Sequence, residues 1–137
     1  DLLSNAYSLY KQSPEKWFSL KTKSYLNYKN KNRYEQIAAQ LADIHEIINV
    51  NLPQNSIIID FKDVCNNPLS VIRDIKKEAE NVGLNLKGKN TPDRPSSFKY
   101  KEVKKTDSAD TEQLFLTLKK EFEARGNSLK KIFNEYS

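Results

Sequence analysis

Ile57-Ile58-Ile59 is the one place in this chain where three β-branched apolar residues stand side by side, and it lies between segments patterned for helix. Consecutive rather than alternating apolar residues imply burial on both faces, as in a parallel sheet covered by helices. Turn-forming Pro53, Gln54 and Asn55 precede the run, so Ser56 to Phe61 is read as a short buried strand. One strand cannot make a sheet alone. Its neighbours are expected outside these residues, and the lack of any methionine agrees with Asp1 following upstream sequence.

Helical periodicity dominates elsewhere. Leu2, Leu3, Ala6, Leu9 and Tyr10 recur at helical spacing, and Ser13-Pro14 supplies a cap and a first-turn proline for a second helix carrying Trp17, Phe18 and Leu20. The polar stretch Asn27 to Asn32 reads as a turn. From Tyr34 to Ile48, Ile37, Leu41, Ile44 and Ile48 define an amphipathic helix. Asn67-Pro68 opens another, with Leu69, Val71, Ile72, Ile75, Ala79 and Val82, and Gly83 stands just past its end. Residues 85 to 110 show no sustained period and are read as a long loop. Ser108 or Asp110 then caps a helix with Leu114, Phe115, Leu118 and Phe122, and a last short helix runs through Leu129, Ile132, Phe133 and Tyr136.

At 137 residues the chain fits one domain or a fragment of one. A single cysteine, Cys65, excludes an internal disulfide, and with a single histidine, His45, none of the usual zinc sets can form. No apolar run reaches membrane-spanning length, which sets the expectation of a soluble, cytoplasmic protein. The net charge of +5 is spread over lysine-rich segments interleaved with Asn, Ser and acidic residues. That pattern lacks the compact basic footprint of a nucleic-acid binder, but suits a small polyanion such as a nucleotide.

The order of elements from Leu52 onward is more specific. Leu52-Pro53-Gln54-Asn55, then Ile57-Ile58-Ile59-Asp60-Phe61-Lys62-Asp63-Val64, then Asn67-Pro68 and a helix ending Val82-Gly83-Leu84, resembles the C-terminal part of sulfotransferases that use 3′-phosphoadenosine 5′-phosphosulfate (PAPS). That family shows a strand ending in a Tyr-Glu-Asp-Leu-like turn, a polar residue plus proline, and a helix closing on a Leu-Gly-Leu-like end; Phe61 and Lys62 depart from it at the aromatic and first acidic positions. Asp1-Leu2-Leu3-Ser4-Asn5-Ala6-Tyr7 looks like the helix after the family's Arg-Asp-Pro-Arg-Asp motif, where an arginine and a downstream serine hold the nucleotide 3′-phosphate.

The resemblance implies a helix-rich α/β fold, the C-terminal part of a P-loop-type parallel sheet. It also implies transfer of a sulfuryl group from PAPS to an acceptor hydroxyl or amine. Ser4 or Asn5, depending on register, falls at the serine's place, with Ser4 preferred; Tyr34 matches an aromatic set against adenine in some members; Arg94, Lys99 and Lys101 occupy the stretch that supplies late basic contacts, without the cytosolic branch's Arg-Lys-Gly. The phosphosulfate loop and the catalytic base precede Asp1 in such enzymes, so this chain alone is expected to be inactive. The alternative is a mostly helical protein-interaction module with one incidental strand.

Other chemistry-bearing residues have plainer readings. His45 sits mid-helix without a nucleophile nearby in sequence and is expected to be structural, and Cys65 is expected to be a buried thiol. Asp63 is expected to accept backbone hydrogen bonds ahead of the next helix. Trp17, Phe18, Phe115 and Phe122 are read as core, and the lysine-rich runs 21 to 31 and 99 to 105 as solvated faces.

Overall fold

The computed structural model describes residues 1–12, 20–53, 56–86 and 101–136. All regular structure among them is helical: α1 (Leu2–Gln12), α2 (Tyr25–Tyr28), α3 (Arg33–Asn51), α4 (Phe61–Asn66), α5 (Pro68–Asn81), α6 (Ala109–Ala124) and α7 (Asn127–Tyr136). They fall into two compact units, Asp1–Leu52 with Glu102–Ser137, and Pro53–Lys101.

In the larger unit α3 is the organising element. Its start is fixed by a reciprocal capping box: the Asn32 side chain accepts the Glu35 amide at 3.0 Å, and the Glu35 carboxylate accepts the Asn32 N–H at 3.3 Å. Ile37, Ala38, Leu41 and Ala42 turn into a core shared with Leu2, Leu3 and Ala6 of α1, Leu114, Leu118 and Phe122 of α6, and Leu129 and Phe133 of α7. Burying a Leu, Ile or Phe side chain contributes about 1.5–3 kcal/mol, so this cluster is the main source of the unit's stability. Ser108 begins α6 by accepting the Thr111 amide, and Gly126, at φ 110°, makes the left-handed turn into α7. His45 is half-buried with its ring edge-on to Phe122 at 5.8 Å, a structural position as expected, and Phe115 and Phe122 both pack in the core.

The smaller unit is built around α4 and α5. Asp60 caps α4 through the Lys62 amide at 2.7 Å, while the Asn67 side chain accepts the Ser70 amide and Pro68 takes the first position of α5. The capping carboxylate is thus Asp60 where Asp63 was expected. Gly83, at φ 79°, closes α5, with the Leu84 N–H bonded to the Ala79 carbonyl at 2.8 Å. Cys65 is buried, as expected for an inert thiol.

The expected strand is corrected here, and with it the α/β, P-loop-type parallel-sheet fold class. Ser56 to Asp60 form no ladder, and none of the backbone groups of Ile57, Ile58 and Ile59 is hydrogen-bonded among the described residues. Their side chains are 45%, 67% and 39% exposed. The reason is that β-branched residues favour a strand only when a neighbouring strand takes up the backbone N–H and C=O groups; without one, water satisfies them better. The expected second helix and its Trp17 and Phe18 lie outside the described residues; Leu20, at its expected end, is not helical. No helix among the described residues is long and apolar enough to cross a membrane.

Candidate functional site

Asp1 stands at the N-terminus of α1 and caps it with both carboxylate oxygens. One accepts the Ser4 N–H at 3.1 Å and the other the Ser4 hydroxyl at 2.7 Å. Ser4 Oγ in turn accepts the backbone N–H of Val103 at 3.1 Å, a contact between residues 99 apart in sequence. Val103 also packs against the core. The end of the long segment after α5 is therefore tied to the first turn of α1.

Of the two register alternatives for a phosphate contact, the geometry separates Ser4 from Asn5. Ser4 donates its hydroxyl proton to Asp1 and accepts from Val103, so it has little capacity left for an anion, and Asp1 adds a negative charge beside it. Asn5 is exposed on the same first turn, and its side-chain amide makes no hydrogen bond among the described residues. The start of α1 also adds the favourable end of the helix dipole.

Tyr34, on the first turn of α3, stacks on Tyr10 of α1 with ring centroids 5.3 Å apart and an interplanar angle of 15°. Both hydroxyls converge on Asp110 Oδ1, at 2.7 Å from Tyr34 and 3.2 Å from Tyr10. The neighbouring Tyr10 hydroxyl, the Asp110 carboxylate and burial hold the Tyr34 phenol well above its usual pKa, so it remains a donor across the physiological range. Tyr10 covers one face of the Tyr34 ring, leaving at most the other for a purine. At 1.5 Å rise per residue, Tyr10 lies about 9 Å along α1 from Ser4. The structure thus places Ser4, Asn5, Val103 and Tyr34 on one unit.

The late basic residues divide differently. Arg94 and Lys99 lie outside the described residues, and Lys101 is exposed in the Pro53–Lys101 unit. Lys104 and Lys105 flank Val103 on its other side and are exposed, with the Lys105 ammonium 5.4 Å from the centre of the Phe115 ring. Sequence reasoning passed over both, although the run 99 to 105 had been noted as lysine-rich. A shallow cavity of about 490 Å³ at the start of α6 is lined by Lys105, Ser108, Glu112, Phe115 and Leu116 among others. Glu112 offsets the charge of Lys105 there.

A second polar cluster was not legible at all in the sequence. Asp43 is fully buried and accepts the Ser24 N–H and hydroxyl, each at 2.8 Å, while Arg125 reaches it from the end of α6 and also bonds Glu121 and Ser24. Burial acts to raise the Asp43 pKa, but the hydrogen bonds from Arg125 and Ser24 outweigh it and hold the group below its ordinary value. Burial likewise acts to lower the Arg125 pKa, and Asp43 and Glu121 overcome it. Such a group is a structural hub. Among the described residues no set of three or more His, Cys, Asp or Glu side chains is placed to hold a metal. Comparison of the chain with known protein families, curated proteins and solved structures finds no match.

Proposed function

We propose that this chain is part of a PAPS-dependent sulfotransferase, contributing contacts to the nucleotide 3′-phosphate and adenine. The supporting observation is the hydrogen bond from Val103 N–H to Ser4 Oγ. It ties the first turn of α1, which the resemblance assigns to the 3′-phosphate, to Val103, two residues in sequence after Lys101, the last of the assigned late basic residues. In this reading Asn5 donates to the phosphate, Lys104 and Lys105 supply positive charge nearby, and the Tyr34 face that Tyr10 does not cover receives the purine. When bound, the cosubstrate supplies the sulfuryl group that passes to an acceptor hydroxyl or amine.

Calorimetric titration with 3′-phosphoadenosine 5′-phosphate, alongside adenosine 5′-phosphate, tests the reading. Saturable binding of the first, weakened by salt and by removal of the 3′-phosphate, is the expected result. Equal affinity for both nucleotides, or none for either, overturns it.

A different observation favours the interaction-module reading. Among the described residues of the Pro53–Lys101 unit, Ile57, Ile58, Phe61, Leu69, Val82 and Leu84 are all at least 45% exposed, and only Cys65 and Ala79 are buried apolar residues. A unit with so little core of its own is suited to burying that surface against another polypeptide. Absence of nucleotide binding together with a Phe61→Ser-sensitive protein complex would select this alternative.

A further inference from the structure

One stripe of α3 is buried but polar. Arg33, Gln36, Gln40 and Asp43, spaced by three or four residues, share a face, and each is under 9% exposed. Three of them reach the segment Leu20–Asn32. Gln36 Nε2 donates to the carbonyls of Lys29 and Lys31, both at 3.0 Å, Gln40 Nε2 donates to the Leu20 carbonyl at 3.3 Å, and Asp43 takes both Ser24 donors. From the α6 side Arg125 Nη2 donates to Ser24 Oγ at 2.9 Å, and the Tyr28 hydroxyl donates to Glu121 at 2.9 Å.

The segment adds almost nothing apolar. No residue between 20 and 32 belongs to the core cluster or packs against it, its buried residues are Thr22 and Ser24, and Leu20 and Leu26 are 53% and 72% exposed. Closing it over α3 also carries a penalty. Gln40 Oε1, on the side chain whose Nε2 bonds the Leu20 carbonyl, is buried without a hydrogen-bond partner among the described residues, and a group of this kind is better satisfied in water. Among the described residues attachment therefore rests on polar contacts, including the Lys23–Glu46 ion pair at 2.6 Å, whose lysine is largely exposed, and those at Ser24 are the ones made to the fully buried Asp43. Asp43 and Arg125 would stay paired with each other if Ser24 left.

We propose that residues 20–32 form a strap that opens as a unit from an intact helical core, with Ser24 as its latch. Opening uncovers Gln36, Gln40 and Asp43 of the α3 stripe, while the apolar contacts among α1, α3, α6 and α7 are kept. It is a local opening of the kind that sets hydrogen exchange in weakly packed segments.

Native-state amide exchange read residue by residue by NMR tests this, using Ser24 N–H, bonded to Asp43, and α6 core amides such as Leu118 and Phe122. The expected result is that Ser24 exchanges at least tenfold faster than the α6 amides after correction for intrinsic rates. Urea below the unfolding transition should accelerate the α6 amides steeply and Ser24 only slightly, because opening the strap exposes little surface. In Ser24→Ala, which keeps the backbone donor but loses two side-chain bonds, the same amide should exchange at least tenfold faster still. A Ser24 amide as slow as those of α6, with the same urea dependence, overturns the strap. An unchanged rate in Ser24→Ala overturns the latch.

Discussion

Replacing Arg125 by Met removes the cation from a carboxylate with no access to water. Asp43 is 0% exposed, and Arg125 is its only ion-pair partner among the described residues. The variant keeps the aliphatic stem but leaves Asp43 charged and without a counter-charge among the described residues, and also releases Glu121, whose side chain is 15% exposed. Breaking a buried pair by removing one partner costs about 3–5 kcal/mol, chiefly from the charge left behind. A domain of this size is stable by roughly 5–15 kcal/mol, so most of the margin is at stake. At about 4–8 °C per kcal/mol the midpoint should fall by roughly 12–40 °C. Urea and thermal denaturation at pH 7, followed by circular dichroism, give the measurement. The double variant Arg125→Met with Asp43→Asn should recover at least half of the loss, since a neutral amide needs no counter-charge. A single variant within about 1 kcal/mol of the parent, or a double variant no better than the single, would refute the claim that Asp43 is buried and ionised.

Three further outcomes follow from the same geometry. Phe122→Ala empties a fully buried ring site between His45 and Phe133 and should cost about 3–5 kcal/mol in urea denaturation. Burial lowers the His45 pKa, so the folded state binds the proton less readily than the unfolded one; stability should be full above about pH 6.5 and fall as pH drops toward the folded value. His45→Gln should remove that part of the stability–pH curve, and an unchanged curve would contradict it. Asp43 is also depressed, so its contribution is present above about pH 3.9 and lost as pH falls through its lower folded pKa; Asp43→Asn should flatten the acid limb there.

What could be read in the sequence follows the range of the forces involved. Helices α1, α3, α5, α6 and α7 lie close to their expected positions because periodicity, capping residues and Gly83 and Gly126 act within a few residues. Ile57–Ile59 failed for the opposite reason: a strand depends on partners far away in sequence, and apolar β-branching cannot supply them. Asp43 and Arg125 are 82 residues apart, and nothing near either one distinguishes a hub from two surface charges. What surrounds Ser4 was only partly legible: Asp1, which takes the hydroxyl proton that a phosphate would need, is three residues away, but Val103, which donates to the same oxygen, is 99 residues away.

The proposal that Asn5 and the Tyr34 face not covered by Tyr10 receive a 3′-phosphorylated adenine nucleotide is tested most directly by amide chemical shifts recorded during titration with 3′-phosphoadenosine 5′-phosphate. Saturable shifts concentrated at Asn5, Tyr34 and Val103 to Lys105, weakened about tenfold or more by Asn5→Ala and absent with adenosine 5′-phosphate, are the predicted result. Shifts scattered over exposed lysines on every helix and indifferent to Asn5→Ala, or no shifts at all, would contradict it.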